Sequence, residues 1–190
     1  FTINQAPDIV IQETHTDINC FGDATGDVTL NVSGGTGATY TYAWTNNVSS
    51  TNIATMLIAG TYDITVTDQA SCNKTISVTL TQPASALSPT INSTNITCFG
   101  ANNGSITVNT AGGTSPYTYT WNPNVSSSNS ASSLSANTYN VTVTDNKGCS
   151  VFSSVTITEP GQPLTLTPAQ TDLSCFQSND GIASVSVTGG

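Results

Sequence analysis

Five cysteines are the residues of this chain best suited to covalent chemistry, and their spacing separates them into two kinds. Early cysteines occur at positions 20, 98 and 175, and late cysteines follow the first two at positions 72 and 149. Closing a loop of about 50 residues with a disulfide removes about 4 kcal/mol of unfolded-chain entropy. We therefore predict the pairs Cys20–Cys72 and Cys98–Cys149. We expect Cys175 to be unpaired, because its partner would lie beyond residue 190.

Two other states of these cysteines compete with disulfides. One is a structural zinc site, but no Cys-x-x-Cys motif occurs and His15 is the single histidine. The other is a set of buried free thiols in a reducing compartment, and the sequence leaves this alternative open. Because persistent disulfides indicate an oxidising compartment, we predict a secreted protein.

Recurring aspartates are the candidates for binding a cation. Asp68 and Asp145 both follow a Val-Thr dipeptide, and Asp17 and Asp172 both stand three residues before an early cysteine. Calcium takes about six to eight oxygen ligands, and no Asp-x-Asp-x-Asp loop supplies them here. An aspartate at a strand end commonly accepts hydrogen bonds from its own backbone, which favours a turn role. We predict no metal and no cofactor, with calcium at these four aspartates as the alternative.

His15 is the side chain best suited to acid–base catalysis, but the other copies of the repeat lack it. Ser93 and Gln170 hold the corresponding positions. A catalytic residue in a tandem array should recur in each unit or lie in one specialised unit. No glycine-rich phosphate loop follows a strand and opens a helix, so nucleotide binding has no support either. We predict a protein that is not an enzyme.

Two loops rich in Ser and Asn, at 45–55 and 122–133, are candidates for sugar attachment or for contact with a glycan surface. Their composition is also typical of plain solvated loops. Attached sugars would help to keep a surface with few charges soluble, so both interpretations stay open. The candidate attachment sites are Ser49, Ser50, Thr51, Ser126, Ser127 and Ser128.

Aromatic residues alternate with polar ones in both copies of the repeat. Tyr40, Tyr42 and Trp44 share one face of a predicted strand, and the second copy repeats the pattern. Such a face could bind a sugar ring, but its recurrence favours packing in a core. The aromatic residues that we predict for the core are Trp44, Tyr62, Trp121 and Tyr139.

The chain is a tandem array with a period of about 77 residues. Trp44 and Trp121 are 77 residues apart, as are Cys72 and Cys149. We predict complete repeats at 8–83, the first repeat, and 84–160, the second repeat. Residues 1–7 match the last strand of a repeat, and 161–190 match the start of a third, truncated one. The period is too long for a solenoid repeat and suits a small domain.

Within a repeat, apolar residues recur at every second position, which predicts β-strands with one buried face. Val28, Leu30 and Val32 alternate with polar residues, and so do Tyr62, Ile64 and Val66. About seven short strands separated by turn signals fill each repeat, which is typical of an immunoglobulin-type sandwich. We predict an all-β chain of immunoglobulin-like β-sandwich repeats arranged end to end.

Composition excludes several classes of function. Charged residues make up 7% of the chain, the net charge is −9, and Lys74 and Lys147 are the only cations. A nucleic-acid-binding protein needs a basic face, which this chain lacks. The sequence contains no run of about 18 apolar residues, which a membrane-spanning helix would need. We predict no nucleic-acid partner and no membrane insertion.

Three motifs follow one another between Cys98 and Cys149. They are Cys-Phe-Gly-x-x-x-Gly-x-Ile-x-Val, Gly-Gly-Thr-x-Pro-Tyr-x-Tyr-x-Trp and Leu-x-Ala-x-Thr-Tyr-x-Val-x-Val-Thr-Asp-x-x-Gly-Cys. Together they resemble the SprB-type repeat of long surface adhesins in gliding Bacteroidetes. The first repeat departs from the pattern only in loops, for example at Ala70-Ser71. The resemblance implies export by the type IX pathway, display on the outer surface of a bacterium, and a role in gliding, adhesion or length.

These observations predict an extracellular region of a long surface adhesin or fibre that provides reach, stiffness and adhesion. Its partners would be neighbouring repeats of the same chain and surface polysaccharides. Short proline-containing junctions, which fix φ, favour a semi-rigid rod. Two alternatives are a self-assembling extracellular filament, in which other copies of the chain are the partners, and a glycan-binding module.

Overall fold

The computed structural model describes residues 5–190, and β-strands dominate this part of the chain. Its one helical segment is a single 3-10 turn at Thr45–Asn47. The prediction of an all-β chain is therefore confirmed. No helix among residues 5–190 is long and apolar enough to cross a membrane.

The first repeat contains six strands in two antiparallel sheets, in the orders β1-β2-β4 and β3-β5-β6. The strands are β1 (Val10–Thr16), β2 (Gly26–Ser33), β3 (Thr41–Trp44), β4 (Ile53–Leu57), β5 (Gly60–Thr67) and β6 (Asn73–Leu80). Val28 and Leu30 of β2 and Ile64 and Val66 of β5 are fully buried in one cluster. Because both sheets contribute to the same core, they form a β-sandwich.

The second repeat has the same arrangement of strands, in sheets of order β10-β8-β7 and β12-β11-β9. Ile106, Val108, Val141 and Val143 are fully buried at the positions that correspond to the core residues of the first repeat. The strands are β7 (Ser88–Thr94), β8 (Gly104–Ala111), β9 (Thr118–Asn122), β10 (Ser130–Leu134), β11 (Asn137–Thr144) and β12 (Ser150–Ile157).

Beyond the second repeat, β13 (Thr165–Thr171) and β14 (Ile182–Thr188) pair antiparallel, and every residue in both strands is exposed. The strand predicted over 1–7 lies partly outside the described residues, which begin at residue 5. Residues 5–7 have no regular secondary structure.

Each repeat has six strands and not the predicted seven, because the strand predicted at Ile18 is a loop. The Ile18 side chain is buried with 3% exposure, but it lies in the loop between β1 and β2 and not in a strand. The Ile18 N–H donates to the Thr81 carbonyl at 2.9 Å, but this backbone bond is not continued into a ladder, so no strand forms here. A buried apolar residue in a loop resembles a short strand when only the sequence is read.

Strand β5 defines two ends of the first sandwich. Gly60, at its start, pairs with Leu80, beside the point where the chain leaves the repeat; we call this the trailing end. Thr67, the last residue of β5, pairs with Asn73 at the opposite end, which we call the leading end. Eight residues of β5 separate the two ends, a distance of about 23 Å at about 3.3 Å per residue.

The chain divides into two compact units. One comprises Phe1–Ser88, Gly112–Pro116 and Asp145–Cys149, and the other comprises Pro89–Ala111, Tyr117–Thr144 and Ser150–Gly190. Two short segments of the second repeat, Gly112–Pro116 and Asp145–Cys149, therefore pack with the first repeat in one unit. The boundaries at 83/84 and 160/161 stay predictions.

Candidate functional site

The first half of the candidate site is the trailing loop of the first repeat, residues 17–25, which carries Cys20. Hydrogen bonds tie this loop to the end of β6. The Thr81 N–H donates to Asp17 Oδ1 at 2.7 Å, and the Gly22 N–H donates to Gln82 Oε1 at 2.8 Å. Together with the burial of Ile18, these bonds hold Cys20 in a defined position at the trailing end.

The second half is the leading turn of the second repeat, residues 145–149, which carries Cys149. Asp145 organises this turn, because its Oδ1 accepts the N–H groups of Lys147 and Cys149, both at 2.9 Å. Its Oδ2 accepts the Thr114 N–H at 2.8 Å, which joins the turn to the neighbouring loop. The buried Asp145 carboxylate therefore fixes the direction in which Cys149 points.

A disulfide joins the two halves. Cys20 and Cys149 are bonded at an S–S distance of 2.03 Å, with their Cα atoms 5.7 Å apart and a sequence separation of 129. The Asn19 carbonyl oxygen lies 3.4 Å from Cys149 Sγ. The bond links a cysteine of the first repeat to one of the second, and both cysteines belong to the same compact unit.

The predicted pairs Cys20–Cys72 and Cys98–Cys149 are therefore wrong. Cys20 lies at the trailing end of the first sandwich and Cys72 follows β5 at its leading end, about 23 Å away along a strand that rises about 3.3 Å per residue. A disulfide requires Cα atoms within about 7 Å of each other, which two ends of one sandwich cannot provide. Cys72 and Cys98 are free and exposed, and so is Cys175, for which we predicted no partner.

Opposite charges accompany the bond. Asp17 and Lys147 line a cavity of about 230 Å³ beside it, together with Asn19, Thr81 and Thr114. Hydrogen bonding from Thr81 holds the pKa of Asp17 below its ordinary value of 3.8, and the charges of His15 and Lys147 lower it further. An acidic trailing loop thus meets a leading turn that carries a lysine.

The carboxylate oxygens of the calcium candidates Asp17, Asp68 and Asp145 accept hydrogen bonds from backbone N–H groups. Asp68 repeats the geometry of Asp145, since its Oδ1 accepts the Ala70 and Cys72 N–H groups at 2.9 Å and its Oδ2 accepts the Thr36 N–H at 2.7 Å. Asp172 is exposed between β13 and β14. No group of three or more His, Cys, Asp or Glu residues within 5–190 is arranged to hold a metal ion.

Both turn carboxylates have a lowered pKa. The Thr36 N–H is the main cause for Asp68; burial opposes it, and the N–H groups of Cys72 and Ala70 reinforce it. For Asp145, burial by itself raises the pKa, but the backbone N–H groups that it accepts together lower it. These aspartates act as turn anchors that position the late cysteines.

His15 lies on the exposed face of β1, with its Nδ1 3.0 Å from Glu13 Oε2. Each partner leaves about a third of its side chain exposed, at 35% and 36%. Such an exposed contact, which is an ion pair only when His15 is protonated, contributes little to stability.

The Ser-rich loops are shaped by their own hydroxyl groups. Ser49 Oγ and Thr51 Oγ1 both donate to the Ile53 carbonyl, at 2.6 and 3.0 Å. Ser126 and Ser128 make the equivalent bonds to the Ser130 carbonyl. Ser50 and Ser127, the remaining attachment candidates, have exposed side chains at the middle of each loop.

The four aromatic residues predicted for the core are buried, with exposures between 2% and 6%. Trp44 Nε1 donates to the Thr51 carbonyl at 2.8 Å, and Trp121 does the same to Ser128 at 2.9 Å. The hydroxyl of Tyr62 donates to the Ile58 carbonyl, four residues upstream, and Tyr139 makes the equivalent bond. Tyr40 and Tyr42 pack against the edge of the core and are half-buried.

Sequence reasoning missed two contributors to the junction. Lys147 stands out in the sequence only as one of two cations, but it lies two residues before Cys149 and faces the acidic trailing loop. Asn19, whose carbonyl oxygen contacts the bond, carries no sequence signal because the contact is made by the backbone. A stronger signal was the aspartate found four residues before each late cysteine, at positions 68 and 145.

Comparison with known proteins identifies the repeat. A family model described as the SprB repeat matches the chain three times, over residues 13–49, 90–126 and 167–190. The matches cover just over half of the chain, so the chain belongs to the SprB repeat family. SprB repeats are structural repeats of bacterial cell-surface proteins. No curated protein matches the chain.

Proposed function

We propose that this SprB-repeat chain is part of a non-enzymatic fibre on the outer surface of a bacterium, where consecutive repeats provide reach and carry tension. The observation that supports this most directly is the Cys20–Cys149 bond, which joins consecutive repeats by a covalent route other than the peptide chain. A disulfide between repeats serves a protein that is pulled along its length.

Chemistry and composition support an extracellular setting. Disulfides persist in oxidising compartments and are rare in the cytosol. The free cysteines are exposed and so are not the buried thiols expected of a reducing compartment. A net charge of −9 with two cations keeps the surface repulsive and soluble outside the cell.

The bond determines which part of the chain tension can stretch. A force applied to the two chain ends passes from Cys20 to Cys149 through the sulfur atoms, so the 129-residue interval between them is not pulled. At about 3.5 Å per residue, that interval would add about 450 Å of length once the bond is absent. The covalent link therefore limits extension even after the sandwiches unfold.

Single-molecule force spectroscopy tests the proposal. The chain is pulled from its two termini, and the total contour length released on unfolding is compared with that of a Cys20→Ser/Cys149→Ser variant. We expect the variant to release about 450 Å more, at about 3.5 Å per residue. The Cys175→Ser variant is the matched control and should release the same length as the original chain. Equal lengths for the original chain and the double variant would contradict the proposal.

A further inference from the structure

We propose that the leading end of the first repeat is a socket for the trailing loop of another repeat of this kind, and that Cys72 bonds to the cysteine of that loop. The structure contains one filled socket, around Cys149, and one open socket, around Cys72. The inference depends on the geometry of the Cys20–Cys149 bond and does not depend on the mechanical function proposed above.

The turns that present the two late cysteines have the same internal geometry. Asp68 accepts the Cys72 N–H at 2.9 Å, as Asp145 accepts that of Cys149 at 2.9 Å. The backbone bond from the aspartate N–H to the cysteine carbonyl is also 2.9 Å in both turns. The backbone of Cys72 is therefore held as the backbone of Cys149 is held.

Space for a partner exists beside Cys72. A cavity of about 330 Å³ lies at the leading end of the first repeat, and Cys72 contributes to its wall with an exposed, free thiol. The corresponding cysteine of the second repeat is only half exposed, because the trailing loop of the first repeat covers it. The residues that line the open cavity include Pro7, Ile9, Gly35, Asp68, Cys72 and Lys74.

A cation near each late cysteine favours an acidic partner. The chain has two cations, and each lies two residues from a late cysteine: Lys147 before Cys149 and Lys74 after Cys72. Lys74 lines the open cavity, and Lys147 lines the cavity next to Asp17 of the bound loop. The two lysines are not equivalent, because Lys147 corresponds to Ala70 and Lys74 corresponds to Val151. An acidic loop in the open socket would therefore meet its cation on the other side of the late cysteine.

The second repeat also displays an unused trailing loop. In this loop the Ile96 N–H donates to the Thr158 carbonyl at 2.9 Å, and the Gly100 N–H donates to Glu159 Oε2 at 2.6 Å. These bonds correspond to those that hold the loop of Cys20, and they leave Cys98 exposed with a free thiol. Each repeat thus carries a socket at its leading end and a matching loop at its trailing end.

Bond formation at Cys72 needs a two-electron oxidant, for which a low-molecular-weight disulfide such as oxidised glutathione suffices. The Cys72 thiolate attacks one sulfur of that disulfide, which forms a mixed disulfide and releases one thiolate. The thiolate of the docked loop then attacks the Cys72 sulfur and releases the second. The two cysteines lose two protons and two electrons in total, and the oxidant leaves as two thiols.

A chain with one additional repeat tests the proposal. A copy of residues 8–85 is inserted between Pro7 and Asp8, so that a trailing loop identical to the bound one precedes the open socket. Within the copy, Cys72→Ser removes its own late cysteine and Phe21→Tyr adds a mass tag beside its early cysteine. The protein is refolded with oxidised glutathione, free thiols are alkylated, and the unreduced digest is analysed by mass spectrometry.

We expect the tagged peptide to be linked to Cys72 and the untagged peptide to be linked to Cys149, with alkylation of Cys72 nearly abolished. In the control chain, Cys20→Ser in the copy should restore alkylation of Cys72 to the level in the original chain. Cys72 that stays fully alkylated with the complete copy, or that is linked to the untagged Cys20, would overturn the proposal. Such a failure would leave the Cys20–Cys149 bond and its force measurement unaffected, so the two proposals fail separately.

Discussion

Gly34 at the leading end of the first repeat is a position where one methyl group should disrupt the socket. Its φ is +78°, and a Cβ there would lie 2.0 Å from the Asp8 carbonyl oxygen. Gly22 in the trailing loop is the matched control, because its φ is +83° but nothing lies within 4 Å of its Cβ position. Alanine at either site has the same backbone cost, and only Gly34→Ala adds a collision.

The expected difference follows from these two contributions. A left-handed alanine costs about 1–2 kcal/mol, and the loss of unfolded-state freedom returns about 0.4–1 kcal/mol. Gly22→Ala should therefore lower the free energy of unfolding by about 0–1.6 kcal/mol. The collision forces the backbone at Asp8 to move, which costs a further 1–3 kcal/mol or so in a packed region. Gly34→Ala should accordingly be less stable than Gly22→Ala by about 1–3 kcal/mol.

Urea unfolding followed by tryptophan fluorescence measures this difference. Both variants are made with Trp121→Phe, so that the signal comes from Trp44 in the first repeat. With a slope of about 1 kcal/mol per molar urea, the midpoint of Gly34→Ala should lie about 1–3 M below that of Gly22→Ala. Equal midpoints would refute the argument that close backbone approach, and not the φ angle, requires glycine at position 34.

Three further predictions concern pH, a side-chain hydrogen bond and sugar attachment. Because the folded pKa of Asp145 is lowered, its contribution to stability is complete above pH 3.8 and is lost as pH falls through the folded pKa; acid unfolding should shift to higher pH in Asp145→Asn. Tyr62→Phe removes the bond to Ile58 and should lower the free energy of unfolding by about 0.5–1.5 kcal/mol in urea titrations. Any O-linked sugar found by intact-mass and peptide analysis should lie on Ser50 and Ser127, where attachment breaks no loop hydrogen bond; sugars confined to the other hydroxyls would contradict this.

Strand positions and core residues could be predicted because alternation along a strand depends on adjacent residues alone. Val28 and Leu30 alternate with polar neighbours, and the structure buries both completely. The burial of Tyr62 also follows from alternation along its strand, and its hydroxyl donates to the carbonyl of Ile58, four residues upstream. The SprB-type motifs combine several of these local features, which is why the family could be identified from the residues alone.

The disulfide could not be predicted from spacing, because chain entropy hardly distinguishes the two pairings. Closing 129 residues instead of 52 changes the loop-closure term by only about 0.8 kcal/mol. What decides the pairing is the end of the sandwich at which each cysteine lies, and that depends on counting strands. Four strands, β2 to β5, lie between Cys20 and Cys72, but the short strands β3 and β4 run in the same direction and together cross the sandwich once. The chain therefore crosses three times, and the two cysteines are at opposite ends.

Pairing between consecutive repeats changes how an array resists tension, if the open socket is filled as proposed. A bond from each early cysteine to the late cysteine of the next repeat makes successive bonds overlap along the chain. Cys72 and Cys98 are 26 residues apart, and so are Cys149 and Cys175. A covalent path that runs through the disulfides therefore needs only one such 26-residue segment, about 90 Å at about 3.5 Å per residue, to pass two repeats.

Two such paths run in parallel and share no residue, because one uses 72–98 and the other 149–175. Pairs within each repeat would give a single path with twice the free length, so overlapping bonds both halve the extension and leave a second covalent route when one bond breaks.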